Sequence, residues 1–439
     1  MAGETLTRVP RRPDAFGVPY RLAAPHLIAI FCFAPLLAVY AALPDAWFLE
    51  SWGGSKSAGA FELLLFACYL ALFATGSFIG VRMPVGRGGP LSPMLTDPPR
   101  WYVRLGLLVA LGAYAFWFAL SMDRSGGFEA LLARMASDPY YVKAHLMETV
   151  PGITTLTQVA VLAVPLMLVS GKGGSLDRLL IVAILVLAGA RAYLHSERLA
   201  LLELLVPMAF LWASGRRLGR APTLAGFAVL LAAGVMLFVA FEATRSLIYL
   251  GIEGPDAAAE YGLVRLVGYY LTSINNGLFV IREAAFDTPL YSVLGALWAL
   301  PGADEIYRAL AGPAPDYPVD LINRGDLNPE FGTVTAPGSW VADLGWVGAG
   351  VAAAFFGCVS GWLYRRAPLT PVAAACYAVW LVGLLEFMRI PYFTDTRLVP
   401  AYLFLGGLFV LGAFERVARA RSGPVDHGRV DRNQYARNP

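Results

Sequence analysis

Residues 60–81 read AFELLLFACYLALFATGSFIGV, 22 residues with a single charged side chain, Glu62. A helix needs about 20 mostly apolar residues to cross the hydrocarbon core of a bilayer, and this stretch has that length and that composition. Working outward, the same pattern recurs at 23–43, 101–121, 152–170, 178–194, 198–214, 223–249, 341–363, 371–389 and 398–414, which makes ten predicted spans in all. The segment 261–285 is apolar but carries Arg265, Asn275 and Asn276, and the run 288–300 is too short to span. Over the 439 residues, 57% are hydrophobic, 15% are charged and the mean hydropathy is +0.59. A soluble domain usually carries about 25% charged residues. The expected fold class is therefore all-α: a polytopic helical integral membrane protein with about ten transmembrane helices and a large late extracytoplasmic loop.

The composition excludes several other classes. Disorder does not fit so apolar a chain. Cys32, Cys68, Cys358 and Cys376 lie in apolar stretches without CxxC spacing, so they read as packing residues and not as a disulfide framework. A net charge of +3 gives no reason to expect nucleic acid as a partner. The four histidines are scattered, and neither an HExxH nor a paired-cysteine site is present, so no metal is expected. No Walker A motif, dinucleotide fingerprint or kinase set appears, and no cofactor is expected.

Orientation follows from Lys and Arg in the connecting segments. With the N-terminus in the cytoplasm and ten alternating spans, the inner half holds 21 of the 34 basic residues and seven of the 31 acids, for +14 inside against −11 outside. This balance requires 261–300 to cross the membrane either zero times or twice. The predicted organisation is a cytoplasmic tail over 1–22, seven spans over 23–249, an extracytoplasmic loop over 250–340 with short or re-entrant helices, three spans over 341–414 and a disordered cytoplasmic tail over 415–439. Arg8, Arg11 and Arg12 precede a long first apolar segment without a small-residue cleavage site, which reads as a tail and not as a signal peptide. Residues 122–151 carry an amphipathic pattern suited to the membrane surface. A connection as long as 250–340 is usually functional.

Some outer arginines depart from the charge rule. Arg191 and Arg198 flank the turn in ARAYLHSERLALL, Arg245 lies near the outer end of the seventh span in FVAFEATRSLIYL, and Arg389 and Arg397 bracket the turn in FMRIPYFTDTRLV. Each alone also reads as an interfacial anchor or as the partner of Glu197, Glu242 or Asp395, because an arginine near the interface can snorkel. Together, five planar guanidinium forks at three helix junctions on one side suit a lipid-linked phosphate or pyrophosphate. A second group lies in NRGDLNPEFGTVTAPGSWVADLGWVGAG, residues 323–350, where Arg324, Trp340, Asp343 and neighbouring amides and carboxylates suit sugar recognition. An ordinary polar loop with a helix cap fits the same residues, with Asp343 in a first turn. Gly345, Gly348 and Gly350 read as close-packing positions. Asn275 and Asn276, with Tyr269 and Tyr270, would line the same cavity.

At this point the chain resembles the bacterial O-antigen polymerase and oligosaccharide repeat-unit polymerase family, within an O-antigen ligase-like superfamily. HSERLALLELL at 195–205, FEATRSLIYL at 241–250 and EFGTVTAPGSWVADLGWVGAG at 330–350 carry the resemblance, which covers roughly 150–415. It implies a metal-independent membrane glycosyltransferase of the inner membrane that polymerises lipid-linked repeat units on the face toward the periplasm or exterior. The implied partners are undecaprenyl-pyrophosphate-linked donor and acceptor glycans, membrane lipid and a chain-length regulator. Arg245 and Arg198 would stabilise the leaving pyrophosphate. Glu242 or Glu197 would take the acceptor proton, with Arg191, Arg389, Arg397, Arg324, Asn275, Asn276, Asp343 and Trp340 binding substrate. Ligases of that superfamily use a histidine in the large outer loop, and 250–340 contains none. Residues 44–59 also lack the adjacent acidic pair of many polyprenol-dependent sugar transferases. A lipid-linked sugar transporter or flippase is the competing class, for which inverted repeats or broken helices are expected and none is visible in the sequence. A structural subunit of an export complex is a third reading.

Overall fold

A computed structural model describes residues 18–84, 98–137, 141–146, 152–171, 173–194, 199–214, 255–283, 285–298, 302–312 and 331–421, together with Val150, Met236, Val239, Leu300, Leu327 and Asn328. Every regular element among them is helical. In chain order these are α1 (Val18–Leu22), α2 (Pro25–Ala42, with a π-helical stretch at Ala29–Phe33), α3 (Asp45–Trp52), α4 (Ala60–Arg82) and α5 (Arg100–Ser125). Next come α6 (Phe128–Ser137), α7 (Thr154–Ser170, opening in a 3-10 turn), α8 (Ser175–Leu194) and α9 (Leu199–Ser214). The last five long elements are α10 (Pro255–Glu283), α11 (Ala303–Ala311), α12 (Ala336–Arg366), α13 (Pro371–Glu386) and α14 (Val399–Arg421), and single turns of helix lie at Val142–Leu146 and Gly295–Trp298.

Among the described residues, five helices are long and apolar enough to cross a membrane: α2, α4, α5, α12 and the helix over Thr396–Ala418, which overlaps α14. Three shorter apolar helices, α7, α9 and α13, accompany them. α8 is long enough, but Asp177, Arg178 and Arg191 fall within its 20 residues. The predicted span 223–249 lies outside the described residues apart from Met236 and Val239. The chain is thus an all-helical protein with the elements of a helical membrane protein.

Two large cores organise the described helices, beside a small cluster of Phe279, Val280, Leu327, Val334 and Ala342. One is built on α2, α4, α10, α12 and α13 around Tyr40, Phe66, Phe73, Trp340 and Phe387. The other is built on α5, α7, α8, α9 and α14 around Leu107, Trp117, Leu166, Ile184 and Leu408. α4 and α12 form the closest pair in the first. A Cβ added at Gly76 or Gly80 would lie 2.1 or 2.0 Å from the carbonyl oxygen of Ala354 or Cys358, and one at Gly357 or Gly361 would meet those of Phe73 and Ser77 at 2.1 and 2.0 Å. Two small-xxx-small ridges therefore interlock, as helices do where lipid supplies no hydrophobic drive and close backbone approach supplies van der Waals contact instead. The order of these contacts makes the two helices parallel.

α5 and α8 are also parallel. At their first turns Arg100 and Arg104 both bond the buried Asp177 carboxylate, at 2.5 and 2.7 Å. Toward their last turns the Arg191 guanidinium lies over the Trp117 ring, 4.8 Å from its centroid.

α12 is broken. Gly345 has φ 65 and ψ −177, a conformation essentially reserved for glycine. The carbonyls of Val341, Ala342 and Asp343 accept bonds from the N–H groups of Phe286, Thr288 and Leu290 at 3.2, 3.1 and 3.4 Å. A non-helical segment thus serves carbonyls next to the break. The break is not visible in the sequence, because one glycine among several in a small-residue run gives no sign of which one turns the chain.

Candidate functional site

The turn between α13 and α14 gathers the charged groups. α13 ends at Glu386, and the N–H groups of Arg389 and Ile390 bond its carbonyl at 2.7 and 2.8 Å. Pro391 prevents the helix from continuing in register, and two 3-10 turns follow at Tyr392–Thr394 and Thr396–Leu398. Asp395 Oδ1 accepts the N–H of Arg397 at 2.8 Å and fixes the entry to α14.

Arg389 donates from Nη1 to Glu386 Oε2 at 2.8 Å, and its guanidinium lies 5.2 Å from the centroid of the Tyr269 ring on α10. Its Nε is buried without a hydrogen-bond partner. Arg265, one turn earlier on α10, is 4% exposed, donates from Nη1 to the Tyr261 hydroxyl oxygen at 2.9 Å and lies over the rings of Tyr269 and Phe331. Arg397 faces the other way, toward α9. Its Nε and Nη2 donate to the two oxygens of Glu203 at 2.9 and 3.2 Å, and Tyr392 donates its hydroxyl to Glu203 Oε1 at 2.9 Å. Arg191 donates from Nη1 to Thr157 Oγ1 at 2.8 Å. The 3-10 turn that carries Thr157 packs against Thr396–Leu398, and Leu194, Tyr392 and Leu398 share one hydrophobic cluster.

Arg191 and the pair Arg389 and Arg397, which mark two separate helix junctions in the sequence, therefore sit at one end of the bundle around residues 386–398. Counting Arg265, four arginines lie there, of which Arg389 and Arg397 bond carboxylates, those of Glu386 and Glu203. Each of the four lies beside a ring or bonds a carboxylate, and a guanidinium fixed in this way is suited to planar anion recognition. Arg198, Glu197, Arg245, Glu242 and Arg324 lie outside the described residues.

The remaining sequence-predicted residues are committed to the protein itself. Asn275 Oδ1 accepts from the Tyr40 hydroxyl at 2.6 Å and from the Ser57 N–H at 2.7 Å, and its Nδ2 donates to the Ser55 carbonyl at 2.9 Å. Asn276 Nδ2 donates to the carbonyls of Phe331 and Thr333 at 2.7 and 2.9 Å. These two adjacent amides tie α10 to the loops before α4 and before α12. Trp340 has no exposed surface and stacks on Phe356 at 5.0 Å, so neither face of its ring is open to a sugar. Asp343 receives the Thr288 hydroxyl at 2.7 Å and the Val293 N–H at 2.6 Å, and so anchors the segment that fills the break in α12. Beside that segment, burial pushes the Tyr307 hydroxyl pKa up, with the Asp343 carboxylate and Tyr291 adding to the effect.

Glu203 and Glu386 were not among the predicted site residues. Their sequence signal is a single acid inside an apolar run, in LALLELLVP and VGLLEFMRI. An ionisable residue so placed is expensive in a membrane and needs a named partner. No family model, curated protein or solved structure matches the chain.

Proposed function

We propose that the chain is a membrane glycosyltransferase that polymerises lipid-linked oligosaccharide repeat units, with the transfer taking place at the end of the bundle that holds the 386–398 turn. The observation that carries this reading is the gathering of Arg191, Arg389 and Arg397 around that turn. A leaving lipid pyrophosphate develops negative charge that preorganised cations stabilise. Arg198 and Arg245 belong to the same proposal, as leaving-group residues, with Glu242 or Glu197 as the base. Glu203 is already occupied by Arg397 and Tyr392, which makes it a positioning group for Arg397.

Ten crossings and a cytoplasmic N-terminus are also part of the proposal. They are supported by Arg21, Arg82, Arg100, Arg104, Arg365 and Arg366, which all lie at the end opposite the 386–398 turn, as the positive-inside rule expects of a cytoplasmic face. The parallel packing of α4 and α12 agrees with both being even-numbered spans.

A lipid-linked sugar transporter is the second reading, favoured by the broken α12, since half-helices bind substrate in many transporters. Reconstitution of the purified protein with lipid-linked repeat units separates the two. Longer glycans are the expected product. Transfer to a lipid core would make it a ligase, and translocation without bond formation a transporter. Within the polymerase reading, Arg245→Lys keeps the charge and loses the bidentate fork, so turnover is expected to fall on the order of 10²–10³ with expression unchanged. Near-normal chain synthesis by both Arg245→Lys and Arg245→Ala would remove Arg245 from the site. Glu242→Gln and Glu197→Gln test the base in the same assay.

A further inference from the structure

The opposite end of the α4–α12 pair carries a different kind of charge. Arg82 closes α4, and Arg365 and Arg366 close α12. The Tyr20 ring stacks on Tyr364 at 4.3 Å, which brings Arg21 beside Arg365. Among the described residues, no carboxylate pairs with any of these four arginines, whereas Arg100, Arg104, Arg389 and Arg397 each bond one. Two of the four are held in place by rings: Arg82 lies 3.6 Å over Phe78 and Arg366 lies 4.0 Å over Trp362. Arg366 Nε is buried and has no hydrogen-bond partner. Guanidinium groups fixed in this way at a helix-pair terminus, with no carboxylate among the described residues beside them, suit a phosphate.

The same helix pair also carries an apolar groove of about 430 Å³, bordered by Leu65, Leu72, Trp346, Val347, Val351 and Ala354. Val347 and Val351 are strongly exposed. Ala354 lies eleven residues before Arg365, three helical turns along nearly the same face and about 16 Å away. One leaflet of hydrocarbon is half of a core about 30 Å thick, so an acyl chain whose headgroup rests at Arg365 reaches the groove.

We infer that the α4–α12 pair binds an anionic phospholipid, with its phosphate at Arg82, Arg365 and Arg366 and one acyl chain along the pair to the Ala354 groove. Charge complementarity selects an anionic headgroup over a zwitterionic one, and basic pockets between membrane helices recognise such lipids. The site is remote from the 386–398 turn and does not depend on the glycosyltransferase reading.

The test uses the full chain purified in neutral detergent, with phosphatidylglycerol, phosphatidylcholine and inorganic phosphate as probes. Phosphatidylglycerol is expected to raise the thermal midpoint in a saturable way and to survive as an adduct in native mass spectrometry, at least tenfold in excess over phosphatidylcholine. Combining Arg82→Gln, Arg365→Gln and Arg366→Gln is expected to weaken that binding at least tenfold, while Arg308→Gln on α11 leaves it unchanged. Should the combined variant fail to fold, Arg365→Gln alone serves, since the Arg365 side chain is exposed; a severalfold loss is expected. Equal binding of the two lipids, full binding by the arginine variants, or equal stabilisation by inorganic phosphate would overturn the assignment.

Discussion

Glu203 shows how one buried acid fixes a cation. Its carboxylate is inaccessible and takes two bonds from Arg397 and one from Tyr392. Removing one partner of such a pair leaves the other uncompensated, which typically costs 3–5 kcal/mol when both are buried. Arg397 keeps 22% of its side chain exposed, so about 3 kcal/mol, the lower end of that range, is expected for Glu203→Leu. Tyr392→Phe removes one hydrogen bond and should cost about 1 kcal/mol. Denaturant or thermal unfolding in detergent reads both, and a Glu203→Leu midpoint equal to wild type would show that the pair holds nothing. The arginines were legible in the sequence because they break the charge rule for outer segments. Their partners were not, because Glu203 and Arg397 are 194 residues apart and pairing across that distance is settled by helix packing. For the same reason Asn275, Asn276, Asp343 and Trp340 read as recognition groups in the sequence: a residue's chemistry is visible there, and the backbone it is spent on is not.

Among the elements, α12 carries two glycine roles that sequence cannot separate. Gly350 lies 3.2 Å, as a built Cβ, from Leu72 on α4, which is the close packing expected of it, whereas Gly345 turns the chain. Gly345→Ala meets both a backbone conformation forbidden to it and the Phe286 ring at 2.1 Å. A cost of about 1–3 kcal/mol is expected from the backbone alone. Hydrogen exchange should speed up first at the N–H groups of Phe286, Thr288 and Leu290, which bond the carbonyls beside the break. Exchange unchanged at those amides would mean that the segment is held by something other than the break. Gly357→Leu places a branched side chain where a Cβ already lies 2.1 Å from the Phe73 carbonyl, so α4 and α12 must separate. The expected readout is a lower thermal midpoint in detergent, and a midpoint equal to wild type would show that the ridge contact holds nothing. The helices themselves were legible from hydropathy. What was not legible was the break.

For the whole molecule, the topology proposal makes a binary prediction. In a cysteine-free background, a membrane-impermeant thiol reagent applied from outside is expected to label a cysteine placed at Asp316 and to leave one placed at Arg217 untouched. The opposite result would put the 386–398 turn in the cytoplasm and end the glycosyltransferase reading with it.

The parallel α4–α12 pair also bears on how the protein is made. Gly76 and the Ala354 carbonyl it packs against are separated by about 280 residues of chain, roughly 15–60 s of synthesis at 5–20 residues per second. Throughout that interval α4 waits in the bilayer with its glycine ridge bare. A ribosome-stalled or truncated chain that ends before residue 336 therefore exposes the feature that quality-control proteases recognise, an unmated small-residue face. Such a fragment should be short-lived in cells, and co-expressing 327–439 as a separate polypeptide should lengthen its half-life.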